Sequence, residues 1–429
     1  APPAGTDAPT TTAPSVTTEA PTTTTTTVEL TDSFRGVTAE SIDLGVAMVD
    51  FTQLNELGFI DFTHGDTELI WNALVDEINA DGGVLGRRLD LHFETYLPVG
   101  DAEAEAACVR LTEEQEVFAV LGLWIGASVL CLTELHDTIH IGHQVQQAWI
   151  DASNVPLVTP DITSERVVVA LLDVLVETGR LEGATVGVFT DTISEEAARS
   201  VVVPALEDAG VALGSVGVLT DSTGDTTAVE AETDVIIERW SSEGVDTVLV
   251  IGNNGLPMVP RITDALDVQI ITDRPEVLRQ QAPATGRPEA YAGALAVNGL
   301  NTSDREQFDE PGMQACITTL ESAAPEVTVL PPGERGDVVE DWYTGVRNAC
   351  STLSVFVQVA TAAGPELTNE SFTAALESIG DLEWPGKVHA SFGPGKYDAD
   401  DGFRLYEFDP SVGDAGGFVP LTDIVDITP

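Results

Sequence analysis

Asn79-Ala80-Asp81-Gly82-Gly83-Val84-Leu85-Gly86-Arg87-Arg88-Leu89 is the stretch on which the fold turns. Paired glycines let a chain reverse tightly, because glycine takes left-handed backbone at no steric cost. Before the turn, Ile70, Leu74 and Ile78 recur at four-residue spacing, widened by Trp71 and Val75. That stripe predicts a helix over 65–80, which Asp81, Gly82 and Gly83 end. After the turn, 88–95 reads as a strand. Further upstream, Ile42, Leu44, Val46 and Met48 alternate with Asp43, Gly45, Ala47 and Val49. A strand this apolar on both faces belongs in a buried parallel sheet.

The same rhythm runs on. Helix 102–115, strand 117–122, helix 128–138 and a strand beginning at 139–142 complete a first series. A second begins after Asp161, with helices 164–179, 194–209, 228–242 and 258–266 alternating with strands 185–190, 211–219, 247–251 and 268–272. Two series predict an α/β protein of two doubly wound parallel-sheet lobes, joined by a multi-strand hinge with a ligand cleft between them. A closed eight-stranded barrel is disfavoured because the alternation stops near residue 300. Helices at 307–322, 337–363 and 369–378 follow, then short β segments at 387–391 and 403–408. Lobe one is expected to hold 35–160 and 291–385, and lobe two 161–290 and 386–429. Residues 1–33, rich in Thr and Pro and ending in the run Thr22 to Thr27, read as a disordered stalk.

Composition narrows the function. With 429 residues and 43% hydrophobic content, the chain can build more than one core. It carries 71 acidic against 18 basic residues, a net charge of −53, which repels nucleic acid and anionic lipid. Such an excess suits solubility in a salty medium, and stability should rise from low to moderate salt. No calcium loop of the D-x-[DN]-x-[DN]-G type is present. No apolar run is long enough to span a bilayer. The first residue is Ala1, and a removed N-terminal segment such as a signal peptide is expected. The four cysteines form no C-x-x-C pair, and in an exported chain they predict two disulfides. Of three possible pairings, the nearest in sequence, Cys108–Cys131 and Cys316–Cys350, is expected.

The Asn79–Leu89 stretch also resembles the first helix-to-strand junction of type I periplasmic solute-binding proteins, in their leucine/isoleucine/valine-binding branch. Three further stretches are similar to that family. Gly122-Leu123-Trp124-Ile125-Gly126-Ala127-Ser128 resembles a strand end whose loop carries a ligand-binding Ser or Thr. Val186-Gly187-Val188-Phe189-Thr190-Asp191 resembles the first strand of the second lobe. Val248-Leu249-Val250-Ile251-Gly252-Asn253-Asn254 resembles a strand and loop facing the cleft. The resemblance runs loosely over 35–410. It departs at Ile193, where amino-acid binders of the family carry an aromatic residue, while Asp273 matches an acidic residue that holds a ligand ammonium group.

Ligands of open α/β sheets sit beyond the carboxyl ends of strands. That rule selects Asp50, Phe51, Thr52, Trp124, Gly126, Ser128, His143 and Gln144 in the first lobe. In the second it selects Asp191, Ile193, Asn253, Asn254 and Asp273, with Arg274 beside it. Ser128 is expected at a helix N-terminus, where backbone N–H groups favour a carboxylate. His136, His140 and His143, with His64, have near-metal spacing, but a helix end and a strand separate them, so no metal and no cofactor is expected. No G-x-S-x-G, Walker loop, H-E-x-x-H or complete G-x-G-x-x-G occurs, and no catalytic residue is assigned. The resemblance implies a monomeric, exported binding protein of an ABC importer, periplasmic or on the outer face of the cytoplasmic membrane, held by its stalk or by a lipid anchor. It would capture a small polar ligand, an amino acid or relative, and deliver it to the permease membrane subunits. The alternatives are a ligand-sensing ectodomain of the same fold and an α/β hydrolase.

Overall fold

The computed structural model describes residues 30–57, 60, 62–192, 194–220, 226–297, 305–332, 334, 338–412 and 416–428. The stalk expected at 1–33 lies outside them except for its last residues, and so does Ile193.

Strand β1 (Ser41–Val49) is the centre of the first sheet. It pairs in parallel with β2 (Arg88–Tyr96) and β3 (Ala119–Gly122), and β4 (Ile139–Ile141) and β5 (Leu157–Val158) extend the sheet in the order β2-β1-β3-β4-β5. Both faces of β1 are covered. Ile42, Leu44 and Val46 pack with the Thr67–Ala80 helix and the later Trp342–Ala363 helix, while Ala47 and Val49 face Cys108, Leu111 and Trp124. The Gly-Gly turn requires its glycine: Gly83 has φ +63, and a Cβ there would lie 2.0 Å from the Arg87 carbonyl oxygen. Arg87, 1% exposed, fastens the turn by donating to the carbonyls of Thr31, Thr38 and Pro365.

The second sheet repeats the order. Strands β6 (Thr185–Asp191), β7 (Ala212–Leu219), β8 (Thr247–Val250), β9 (Gln269–Thr272) and β10 (Leu295–Val297) lie as β7-β6-β8-β9-β10. Leu405–Asp409 and Gly417–Pro420 add antiparallel strands beyond β10. The two doubly wound sheets expected from the sequence are therefore present.

The lobe boundaries fall elsewhere than expected at two places. Strand β10, assigned to lobe one by the boundary at 291, is hydrogen-bonded to β9 in the second sheet. The chain therefore returns to lobe one between Val297 and Phe308, whose side chains belong to different cores. Ala390, Phe392 and Ala399, beyond the boundary at 386, pack in the lobe-one core, and Phe403 is the next residue in the lobe-two core. The first crossing lies between Val158 of one core and Ile162 of the other. The first and last crossings run side by side: Thr159 and Asp398 form a parallel bridge, and the Ala399 N–H donates to the carbonyls of Thr159 and Asp161.

Local structure differs in five places. The helix expected over 128–138 is a short turn, Ala127–Val129, followed by a widened turn, Cys131–Leu135, closed by the His136 N–H on the Cys131 carbonyl. The helix expected from 337 begins at Trp342, where Asp341 caps it by accepting from the Thr344 N–H. Helices Phe51–Glu56, Gln147–Ala152 and Pro275–Ala284 were not anticipated. Both expected disulfides form, Cys108–Cys131 and Cys316–Cys350, and both lie in lobe one. Among the described residues no helix is long and apolar enough to cross a membrane.

Candidate functional site

In each sheet the strand order reverses beside its first strand, between β1 and β3 and between β6 and β8. At such a point the outgoing connections part and leave a crevice beyond the carboxyl ends. In lobe one a cavity of about 660 Å³ opens beside the carboxyl ends of β1 and β2, with Val49 and Thr95 in its lining. Asp50, Phe51 and Thr52 form one side, as the cap and first turn of the Phe51–Glu56 helix, with the Asp50 carboxylate accepting from the Gln53 N–H at 2.8 Å. Asp66 and Glu68, at the start of the next helix, and Glu340 and Trp342 complete it. Gly65 makes that closure possible: its φ is +71, and a Cβ would sit 2.4 Å from the Trp342 ring. Glu340 and Trp342 were missed by sequence reasoning, since they come from a segment far along the chain that the Thr63–Glu340 bridge joins to this wall.

The loop after β3 rests on two aromatic rings. Tyr96 and Trp124, both 1% exposed, stack with centroids 5.1 Å apart. The Ile125 N–H donates to the Tyr96 hydroxyl at 2.7 Å, and the Trp124 indole N–H donates to the Ser128 hydroxyl at 3.1 Å. Burial raises the Tyr96 pKa, so the hydroxyl stays protonated. Trp124 is thus the loop's anchor within the core. Gly126, at φ +96, turns the chain so that Ser128 is half-buried at the loop's end. His140 lies beneath it, and burial pushes its pKa down to about 3, so the ring is neutral.

His143 does not lie beside this loop's residues but in the hinge. It is 4% exposed, with Nδ1 2.7 Å from Asp161 Oδ2 and Nε2 3.2 Å from the Asn348 carbonyl oxygen. Burial by itself would raise the Asp161 pKa, but Arg347, His143 and Lys387 outweigh it and hold the carboxyl well below its ordinary range. Gln144, next to His143, is exposed and takes a positive φ of 63.

In lobe two the strand-end carboxylates are turned inward. Asp191 is 3% exposed and accepts from the N–H groups of Ser194 at 2.8 Å and Asn254 at 3.4 Å. Asp273, 4% exposed, accepts from the Gly252 N–H at 3.0 Å and pairs with Arg274 at 3.2 Å. Burial raises the Asp273 pKa against the pull of Arg274 and the Gly252 N–H. The two acids brace one loop, on which Asn253 is exposed and Asn254 half-buried. Ser128 and Asp273 therefore stand at strand ends of opposite lobes. Among the described residues, the one group of three side chains with metal-ligating atoms close together is Cys108, Cys131 and His136, and its two sulfurs are joined to each other.

No protein-family model and no curated protein matches the sequence. Solved structures do match. A branched-chain amino acid ABC-type transporter protein from Rhodopseudomonas palustris superposes with a TM-score of 0.64 at 13% identity, covering 90% of this chain and 97% of its own. A solute-binding protein from R. palustris in complex with 4-hydroxybenzoate gives 0.57 at 16%, covering 91% and 98%. A fatty acid ABC transporter substrate-binding protein from Thermomonospora curvata gives 0.54 at 15%, covering 92% and 95%. With two sheets of one strand order, two crossings described side by side, and these likenesses over nearly the whole chain, the protein has the fold of the type I periplasmic binding proteins of ABC transporters.

Proposed function

We propose that this chain is an extracytoplasmic solute-binding protein of an ABC importer, which captures a small polar ligand by hinge closure and delivers it to the permease membrane subunits without catalysing any reaction. It acts as a monomer outside the cytoplasmic membrane. The observation that carries the reading is the repeated strand order, which gives each lobe a switch point on either side of one hinge. A ligand that touches both lobes favours the closed state, and only such differential contact can drive closure.

The amino-acid reading has support from the lobe-one cavity. Asp50, Asp66, Glu68 and Glu340 line it, and they would repel a bare carboxylate but accept an ammonium group. Phe51 and Trp342 line the same cavity, and an aromatic ring face attracts such a cation. The Gly126–Ser128 turn supplies N–H and hydroxyl donors for an acidic group. In lobe two, Asn253 and Asn254 are the polar contacts, on the loop held in place by Asp191 and Asp273. A zwitterionic amino acid fits this set better than the acids named for the benzoate and fatty-acid neighbours. A thermal-shift screen over amino acids, amides, urea and aromatic acids tests it. An amino acid at a hundredfold excess over its Kd should add about 2.7 kcal/mol of stability. Shifts from aromatic acids alone would overturn the ligand class, and turnover of model esters would overturn the whole reading.

A further inference from the structure

The chain has only two lysines, Lys387 and Lys396; its sixteen other basic residues are arginines. Both lysines lie at the hinge with side chains 3% and 15% exposed. They sit among four aspartates that are at most 4% exposed: Asp161, Asp398, Asp400 and Asp401. Asp161 stands where the chain first leaves lobe one, between Val158 and Ile162 of the two cores. Asp400 stands where it last leaves, between Ala399 and Phe403.

Each lobe grips one crossing. From lobe one, Arg347 holds Asp161 Oδ1 at 2.5 Å and His143 holds Oδ2 at 2.7 Å. From lobe two, Arg166 holds Asp398 and also Asp401, the latter at 2.5 Å. Lys387 spans the two grips. Its Nζ is bonded to the Asp400 carboxylate and lies 3.6 Å from Asp161 Oδ1. Its backbone is rooted in lobe one, where Trp384 packs in the core and the Gly386 N–H donates to Glu310 at 2.7 Å. An ammonium suits this place. It is a compact point charge with rotatable donors, whereas a guanidinium fork binds best in one plane.

We propose that Lys387 is the pivot of the hinge, a single ammonium from lobe one that neutralises the aspartates at both crossings and so sets the interlobe angle. The proposal rests on the hinge-closure reading only for the purpose of the motion. Its test needs no ligand, so its failure and the failure of that reading are distinguishable.

The test is small-angle scattering and thermal melting of the full chain with Lys387→Met, and with Lys387→Met combined with Asp400→Asn. The single variant strands a buried carboxylate and should melt several degrees lower. The double variant removes that charge and should recover most of the loss. Both should keep a radius of gyration larger than that of the parent, by on the order of 1 Å for a molecule of this size. A double variant that recovers its melting temperature with a scattering profile superposable on the parent would make Lys387 merely structural and overturn the proposal. Amine acylation of the unaltered chain gives a second reading. Lys396 donates to the carbonyls of Ser391 and Asp398 within its own loop and lies 3.1 Å from Asp401 Oδ1, and it serves as the comparison, since the two loop carbonyls stay with it when the lobes move. Lys387, though more buried, should acylate faster as the hinge opens; equal or slower labelling counts against it.

Discussion

The two lobes share one strand order and treat it in opposite ways. In lobe one the ends of β1 and β2 border a hollow: Asp50 caps a helix, and its neighbours line a cavity of about 660 Å³. In lobe two the corresponding acids, Asp191 and Asp273, are spent on backbone N–H groups, and the loop they hold is braced. Sheet order thus decides where a site can be, while the partners of a few carboxylates decide whether it is a receptacle or a wall. The stabilising devices are divided as unevenly. Both disulfides lie in lobe one, and the second lobe, 162–297 with 403–428, contains no cysteine and no histidine.

That division gives the largest expected effect. Each disulfide closes a moderate loop worth about 3–4 kcal/mol in the chain-entropy account. Reduction should lower the stability of lobe one and leave lobe two unchanged. A calorimetric scan with reductant should therefore show one transition moving down from the other. A single transition that shifts as a whole would mean the lobes unfold as one unit.

Acid should separate the lobes again, more weakly. His140 is buried in lobe one with its pKa lowered to about 3. The unfolded chain then binds a proton near pH 6.5 that the folded chain refuses, so stability falls as pH drops from that value toward about 3. From pH 6.5 to pH 5 the loss should be about 2 kcal/mol, confined to lobe one. Denaturant melts of His140→Leu should lack this slope; a slope unchanged in the variant would assign it to other groups.

The smallest effect concerns the wall. Burial raises the Asp273 pKa, so the charge itself costs stability and the acceptor oxygen is what matters. Asp273→Asn should change stability by less than about 1 kcal/mol, since an amide oxygen can still accept from Gly252. Asp273→Ala should cost about 1–3 kcal/mol by stranding that N–H. Equal losses in both would show that the Arg274 pair, rather than the loop brace, is the important contact.

The sheets were legible because their signal is local. Ile42 to Val49 announces a strand covered on both faces, and the Gly82-Gly83 turn announces its return. Side-chain destinations were not legible, because they depend on distant segments. Trp124 reads equally as cleft wall or core, and Tyr96 decides for the core. His143 follows a strand end, as a cleft residue should, yet Asp161 and Asn348 draw it into the hinge. The 128–138 helix was over-read because its apolar period says nothing of where the Cys131 partner lies. The two lysines were visible as an oddity of composition, without a hint of the four aspartates around them.

The triple passage between lobes also bears on how the chain is made. Lobe two can complete its five parallel strands from 185–297 alone. Lobe one cannot cover its first sheet until Val346, Leu353 and Phe356 of the Trp342–Ala363 helix arrive, some three hundred residues after β1. During synthesis the earlier half therefore waits, its sheet open on one face, while the middle of the chain can already be native. Late-closing contacts of this span slow folding and leave apolar surface exposed in the interval. The nascent chain thus has a long period in which it is still loose enough to be threaded, and the last helices end it.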